Sequence, residues 1–371
     1  MKYRNVELYY QQALDDVGTK IVDLRTTDPI TAIRLQFFRT NGATSCLDNR
    51  LNDVITKIEL VDGSDQLLSL TLKEAQALEF RRTGKMPYMR PGEKADGGQE
   101  ESVLLLFGRK LWDPEYYMDL TKFRNPQLKI TTNIAAVAAA SATAFLTGSL
   151  KVTIDLLTIQ EGAVDAKGFM MAKNIYGFTS GTSGDEHIDM PIDYPYVGLM
   201  VRAFVAGNDV NENISKLKLN CDAGKFIPVD KYVKDLWKQE AQDLGPAELR
   251  YNIFRNNNAV VTHDLNHDPV VAFSPYHTNA IANVGYSWSS RFSLRLVDAG
   301  GAALTALTEI GLIVKGDCPH STIHIPMGLR DQPETYFDPK KFGDIDLVLT
   351  QAAASAVAVV LEQLRPYGAA A

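Results

Sequence analysis

Two fifteen-residue stretches of the chain, YMDLTKFRNPQLKIT (117–131) and YFDPKKFGDIDLVLT (336–350), align without a gap. They share six residue types at a constant offset of 342 − 123 = 219. The matched residues are Tyr117, Asp119, Lys122, Phe123, Leu128 and Thr131, which recur as Tyr336, Asp338, Lys341, Phe342, Leu347 and Thr350. Six identities in fifteen suggest a duplication, which further matches nearby would support.

The matches continue on both sides of these stretches. Downstream, AAASATAFL (138–146) is echoed by AAASAVAVV (352–360), and each leads into an alternating apolar strand pattern. Upstream, IVDLRTTDPITAIRLQFF (21–38) aligns without a gap with HIDMPIDYPYVGLMVRAF (187–204) at an offset of 187 − 21 = 166. A strand pattern and then a helix pattern follow in both places. Four matched blocks in the same order indicate two copies of one domain.

Each copy contains one predicted helix among short alternating strands. In the first copy, Thr71 and Glu74 form a capping-box pattern and Gly84 ends the helix. In the second, Asp230 is the predicted cap and Gly245 the stop. Strands without interleaved helices predict antiparallel sandwiches. The predicted fold is therefore all-β: two tandem eight-stranded antiparallel jelly rolls, a double jelly roll, with one short helix in each. An immunoglobulin-like sandwich is the alternative.

The repeat also predicts the domain boundaries. Residues 1–17 are an N-terminal arm, 18–165 the first jelly roll, 166–185 a linker rich in Gly, Ser and Thr, and 186–371 the second jelly roll. Between helix and last strand pair the second copy has 336 − 244 = 92 residues, where the first has 117 − 78 = 39. The extra residues are rich in Asn, His, Pro and Tyr, which predicts a long, exposed loop insertion at about 246–290.

Composition excludes several classes of function. The chain has 371 residues, and 38 basic against 45 acidic residues give a net charge of −7. Without a basic run, direct nucleic-acid binding is not expected. The N-terminus lacks an apolar core, and no window reaches ~18 apolar residues, so neither a signal peptide nor a membrane span is predicted. Cys46, Cys221 and Cys318 are too few and too widely spaced for a disulfide scaffold or zinc site, which predicts reduced thiols in a cytoplasmic compartment.

Three groups of potential ligands are present, and none is complete. They are His263 with His267 in HDLNHD, Cys318 with His320 and His324 in CPHSTIH, and Asp62 in DGSD. The first group lies in a segment predicted to be a loop. The second matches no zinc spacing, and alternation would place His320 and His324 on one strand face, solvated or at an interface. Asp62 lacks the other oxygens of a calcium loop and predicts a hairpin turn.

Motifs for nucleotide binding and ester hydrolysis are missing as well, because the sequence contains neither a Gly-rich phosphate loop nor a nucleophile elbow. We therefore nominate no catalytic, cofactor-binding or metal-binding residue, and we predict that the protein is not an enzyme.

The strand and turn patterns IRLQFFRTNGATS (33–45), ITKIELVDGSDQLLSLTLKEAQAL (55–78) and RTGKMP (82–87) resemble the major capsid proteins of tailless icosahedral bacteriophages. This is the double jelly-roll lineage that also includes adenovirus hexon. The resemblance implies a homotrimer whose six jelly rolls form a pseudo-hexagonal unit of an icosahedral virion shell. Its implied partners are other copies of the chain, through trimer and trimer–trimer contacts, and penton or minor capsid proteins.

The resemblance also implies a place in the virion for the N-terminal segment. LYYQQAL (8–14) could form a short amphipathic segment beneath the shell, touching an internal membrane or a neighbouring trimer, or a loosely ordered arm. The expected location is the virion capsid, after synthesis in the host cytoplasm.

Two other classes of function remain alternatives. A double jelly-roll carbohydrate-active enzyme or lectin would place tryptophans and carboxylates in a cleft, but Trp112, Trp237 and Trp288 are scattered along the chain, and Trp237 is predicted to be buried on its helix. A cellular adhesin would be expected to have a secretion signal.

Overall fold

In a computed structural model the chain consists mostly of β-strands, and most of the paired strands are antiparallel. The structure describes residues 2–43, 50–135, 145–255, 261–264, 267–278, 281–288, 291–297, 302 and 308–367. The strands of the first half are β1 (Lys2–Ala13), β2 (Val17–Asp23), β3 (Ile30–Thr40), β4 (Ile55–Asp62), β5 (Asp65–Leu70), β6 (Met89–Arg90), β7 (Gly98–Leu106), β8 (Pro126–Asn133) and β9 (Lys151–Glu161).

The second half contains β10 (Gly168–Thr179), β11 (Asp185–Asp189), β12 (Tyr196–Phe204), β13 (Ile214–Cys221), β14 (Phe226–Tyr232), β15 (Ala247–Arg255), β16 (Val261–Asp264), β17 (His267–Thr278), β18 (Ile281–Trp288), β19 (Arg291–Val297), β20 (Thr308–Pro319), β21 (Thr322–Pro326), β22 (Ile345–Gln351) and β23 (Ala356–Pro366). The helices among the described residues are α1 (Leu51–Val54), α2 (Leu72–Thr83), α3 (Val210–Asn213) and α4 (Val233–Leu244). None of these helices is long and apolar enough to cross a membrane.

Strand order confirms the predicted double jelly roll. In the first unit the four-strand row β1-β9-β3-β7, with β6 added at its edge, faces the row β2-β8-β4-β5. In the second unit β10-β23-β12-β21 faces β11-β22-β13-β14. Each unit therefore has eight antiparallel strands in two sheets, plus one twelve-residue helix between corresponding strands.

The strand registers confirm the offsets of 219 and 166, but not the match of 138–146 with 352–360 at 352 − 138 = 214, because β9 corresponds to β23 at 357 − 152 = 205. Ile58 of β4 pairs with Ile130 of β8, and at the equivalent place Leu217 pairs with Leu349, so that 349 − 130 = 219. In the other sheet, the β3–β9 ladder has a register shift between Ile30 and Ala32. The β12–β23 ladder has one between Tyr196 and Gly198, so β3 and β12 match at the offset of 166. The alternation that aligned the two copies is thus the alternation that fills the cores, and the core of the first unit extends to Met200 and Val360 of the second.

The opening motif lies in the connection that precedes strand β8 or β22. Asp119 accepts a hydrogen bond from the Thr121 N–H (3.0 Å), and Asp338 accepts one from the Lys340 N–H (3.2 Å). Each aspartate is the N-cap of a 3₁₀ helix of three residues. Both preceding tyrosines, Tyr117 and Tyr336, are buried. In both copies, therefore, the aspartate caps a turn and the tyrosine is buried beside it.

Replacing either aspartate by alanine should lower the free energy of unfolding by about 1 kcal/mol, because each change leaves the N–H of the second helical residue, Thr121 or Lys340, without its acceptor. Denaturant titration of Asp119→Ala and Asp338→Ala measures this loss. The Asp→Asn variants, which retain the acceptor oxygen, are the controls. A loss at one position and none at the other would contradict equivalent roles.

Helix boundaries agree with the sequence in the first unit and differ in the second. Thr71 and Glu74 form the predicted capping box of α2, and Gly84 follows with a φ of 71°. For α4, however, Asp230 was expected as the cap and the structure places Tyr232 there, without a side-chain hydrogen bond to the helix. Asp230 belongs to strand β14 and forms an ion pair with Lys216.

Three other predicted segments differ from the structure. Most of the predicted arm, 1–17, is strand β1, which pairs with β9, and most of the predicted linker, 166–185, is strand β10, which pairs with β23. The insertion predicted as a loop at 246–290 contains strands β15–β18, and the inserted strands extend to β20 in two three-stranded sheets. Turn-forming residues in that segment concealed its strand pairing.

Candidate assembly surfaces

The two jelly rolls of the chain share one sheet. Strand β5 of the first unit lies parallel to β10 of the second, through the pairs Leu68 with Ala172 and Ser69 with Lys173. This contact joins a row of each unit into a continuous eight-stranded sheet. Both strands would otherwise be open edges with unpaired backbone groups, so the contact covers them. We call this contact the intrachain junction.

Buried ion pairs connect α2 of the first unit to the second unit. Arg81 pairs with Glu240 of α4 and also donates to the carbonyl of Thr322 (2.8 Å). Arg82 pairs with Glu362 of β23 at 2.7 Å, and both side chains are 3% exposed. At the end of the same sheet Arg365 pairs with Asp65 at 2.6 Å. The Arg81–Glu240 and Arg82–Glu362 charges are too deeply buried to do without partners, so these two pairs fix how the units sit together, whereas Arg365 and Asp65 are partly exposed.

A third arginine joins this cluster. Arg330 Nη1 lies 3.5 Å from Glu362, and its Nε donates to the carbonyl of Arg109 in the first unit. Burial raises the pKa of Glu362, but Arg82 and Arg330 outweigh that effect and hold its pKa below the ordinary value. Burial raises the pKa of Glu240 to about 7, against the opposing effect of Arg81. One carboxylate is therefore firmly ionised, while the other titrates near neutrality.

A cavity of about 300 Å³ lies beside these pairs, and His324 is part of its lining. The sequence placed His320 and His324 on one strand face; instead His320 lies buried in the turn after β20, with a φ of 55°, and His324 lies in β21. The His324 ring packs against Gly198, where a Cβ would collide with it. Cys318 is buried in the core of the second unit, so this motif does not converge on a metal site.

Acid should destabilise the protein partly through His324. Burial lowers the pKa of His324 to about 3 from its ordinary 6.5, so its ring stays neutral in the fold while the unfolded chain takes up a proton. Since the unfolded state binds more protons between pH 6.5 and 3, this contribution to stability falls as the pH falls through that window.

His324→Gln should therefore lose less stability than the unsubstituted protein as the pH falls from 7 to 4. The melting temperature of both proteins, measured across that range, tests this expectation. Glu240 titrates in both proteins and does not affect the comparison. If the melting temperatures of the two proteins fall in parallel as the pH is lowered, His324 is accessible to protons in the folded protein.

The other residues considered from the sequence have structural contacts or lie beyond the described side chains. Asp62 accepts hydrogen bonds from the backbone N–H groups of Arg124 and Asn125, closing a loop at the end of its hairpin. Trp112 stacks on Tyr3 with ring centres 4.3 Å apart. Trp237 is half-buried and donates to Asn211 at 3.2 Å.

The remaining candidates are Cys46, which lies outside the described residues, and His263, His267 and Trp288, whose side chains are not among those described. Within the described part of the chain, no three His, Cys, Asp or Glu side chains are placed to hold a metal ion. Cys221 is a buried, free thiol, and Cys318 is buried.

Exposed apolar side chains concentrate on three sheet edges. Strand β1 exposes Tyr3 and Tyr10, strand β2 exposes Val17 and Ile21, and strand β14 exposes Phe226, Ile227 and Tyr232. Each of these strands ends a sheet, so backbone groups are open beside the apolar side chains. Edges of this kind tend to be covered by another chain. Sequence reasoning did not identify these surfaces, because edges become recognisable only once the strand order is known.

Comparison with known proteins finds matches among solved structures and none by sequence. No protein-family model matches the sequence, and no curated protein matches it. Among solved structures, the STIV MCP aligns over 100% of both chains with a TM-score of 0.61 at 10% identity. The major capsid protein P2 from bacteriophage PM2 aligns over 100% of this chain and 99% of its own, with a TM-score of 0.56 at 9% identity.

A third match is VP54 of PBCV-1, which aligns over 98% of this chain and 93% of its own with a TM-score of 0.56 at 9% identity. All three alignments span both jelly rolls. From end to end, the chain has the double jelly-roll fold of viral major capsid proteins.

Proposed function

We propose that this chain is a structural major capsid protein that self-assembles as pseudo-hexagonal homotrimers into an icosahedral virion shell. The observation that carries the proposal is the full-length likeness to major capsid proteins of such viruses. Two similar units in each of three chains provide six comparable lateral faces, so a three-fold object can tile hexagonally. The open edges β1, β2 and β14 supply surface for lateral contacts.

The proposed partners follow from this role. They are further copies of the chain, within and between trimers, and penton or minor capsid proteins. Contact with an internal membrane was expected through residues 1–17; since most of that segment is strand β1, the contact would be made by the end of a strand. Synthesis in the host cytoplasm agrees with the free thiol of Cys221.

No observation favours the alternative, a carbohydrate-active enzyme or lectin. Among the described side chains, Trp112 packs on Tyr3 and Trp237 is held by Asn211, so neither presents an open face in a shared cleft. We therefore assign a structural role without catalysis.

The mass of the protein in solution tests the proposal. A homotrimer has three times the chain mass of 41.0 kDa, and it should resist dilution because permanent interfaces bury on the order of 2,000 Å² or more. Light scattering after size exclusion measures this mass. A monomer at high protein concentration, or hydrolysis of a glycan by the purified chain, would contradict it.

A further inference from the structure

We propose that the contact between two chains repeats the intrachain junction: strand β14 of one copy lies parallel to strand β1 of the next. The inference rests on the proposed homotrimer and identifies its interface. It follows from three observations, namely the equivalence of strands in the two units, the difference in their burial, and the exposure of the helix beside β14.

Strand β14 is the counterpart of β5. Leu68 of β5 pairs with Leu60 of β4, and Val229 of β14 pairs with Leu219 of β13, where Leu219 stands in the position of Leu60. The offset is 229 − 68 = 161, so Asp230 occupies the place of Ser69. The two β5 residues that make the intrachain junction thus have defined counterparts in β14.

Strand β1 is the counterpart of β10. Each pairs with the last strand of its unit, and each ladder has a register shift at the same place, between Glu7 and Tyr9 in β1 and between Asn174 and Tyr176 in β10. Before this shift the offset is 174 − 7 = 167. Asn5 and Val6 are therefore the counterparts of Ala172 and Lys173, the β10 residues of the intrachain junction.

Equivalent positions differ in burial according to whether the junction is present. In β5, residues 67–70 are buried, whereas residues 228–231 of β14 are half-buried or exposed. Met170 of β10 is 1% exposed, whereas its counterpart Tyr3 in β1 is 50% exposed. Each chain therefore has one complete junction and the two separate halves of a second.

The adjoining helices show the same difference. Helix α2, beside the intrachain junction, is buried at residues 72–78 and at Phe80. Helix α4 is its counterpart and has the same length, but only Val233, Leu236 and Glu240 are buried in it. The exposed face of α4 is thus the face expected next to a neighbouring chain.

The open halves are more polar than the intrachain junction. Arg4 and Asn5 stand where β10 has Met171 and Ala172, and Asp230 stands where β5 has Ser69. Charged and polar residues on an open edge limit aggregation before assembly. Because β14 and β1 are different surfaces, the contact is head-to-tail, and a ring closes at three chains when each contact repeats the rotation inside the chain.

Cross-linking tests the pairing directly. In the double variant Asn5→Cys/Val229→Cys, the two thiols lie at paired positions of adjacent strands from different chains, within disulfide reach. Oxidation of the assembled protein should give a covalent trimer on a non-reducing denaturing gel, about tenfold more abundant than in the control variant. The unsubstituted protein measures the background from the native cysteines.

The control is Ile21→Cys/Val229→Cys, because Ile21, like Asn5, is exposed on an edge strand. A native trimer in which Asn5→Cys/Val229→Cys gives no more covalent trimer than the control overturns the inference and leaves the proposed function standing. A protein that stays monomeric overturns both. A covalent trimer formed mainly by the control pair also overturns the inference.

A second variant tests the junction without a new disulfide. Tyr232 is 61% exposed at the N-cap of α4, and aspartate is a good N-cap residue, so Tyr232→Asp should fold as the original chain does. In the proposed junction residue 232 lies near Glu7 of the next chain, the counterpart of Asn174. Tyr232→Asp should weaken trimer formation about tenfold or more, and Tyr232→Ser, a neutral cap, should weaken it less. Equal trimer stability in the two variants would contradict the pairing.

Discussion

Replacing Glu362 by glutamine is expected to lower the free energy of unfolding by about 3–5 kcal/mol, the loss typical of breaking a buried ion pair. The substitution leaves the guanidinium of Arg82 buried without its anion, and Arg330 loses the same partner. Arg82 is held in place by the carbonyl of Leu106 (2.6 Å), so it cannot easily turn towards water. The chain should unfold at a much lower denaturant concentration.

The double variant Arg82→Met/Glu362→Gln separates the free energy of the ion pair from that of the packing around the two side chains. Removing both charges should recover part of the loss, because no unpaired buried charge then remains between these two residues. Denaturant titration of the two single variants and the double variant gives the coupling free energy. Additive losses would show that Arg82 and Glu362 do not interact in the folded protein.

Deleting residues 2–13 should destabilise the first jelly roll by about 3–6 kcal/mol. The deletion removes strand β1, whose half-buried Val6, Leu8 and Tyr9 pack against the core, and it leaves the long strand β9 as an open edge. An open edge of that length should also promote aggregation. Thermal unfolding and solubility of the shortened chain measure both effects.

The control is Lys2→Ala, which removes only an exposed ion pair with Glu161 and should change stability by less than about 0.5 kcal/mol. A shortened chain as stable and soluble as the full chain would mean that residues 2–13 act as the arm expected from the sequence. The deletion thus distinguishes a structural strand from a loose arm, because the two cases predict losses of stability that differ by well above measurement error.

The sequence predicted the repeat and the double jelly-roll fold well, because alternating side chains determine which face of a strand is buried. It failed at β1 and β10 for physical reasons. Strand β1, KYRNVELYYQQA, is exposed on both faces at most positions and therefore lacks clear alternation. Strand β10, GFMMAKNIYGFT, is buried on both faces over residues 168–172, so its apolar run lacks alternation and then ends at Lys173 within the strand.

The junction itself was not predictable from the sequence. Arg81 and Arg82 contact residues more than a hundred positions away, and two arginines at the end of a helix are also common on exposed surfaces. The ligand-like motif around Cys318 misled for a similar reason, because a turn with positive φ at His320 interrupts the strand alternation that was assumed there.

Electron microscopy of the particle that contains this chain tests the central claim most directly. A reconstruction should show a shell of capsomers with three-fold symmetry and six similar lobes, two from each chain, with β14 of one chain beside β1 of the next. A particle in which this chain is absent from the shell, or is present there as separate monomers, would contradict the assignment.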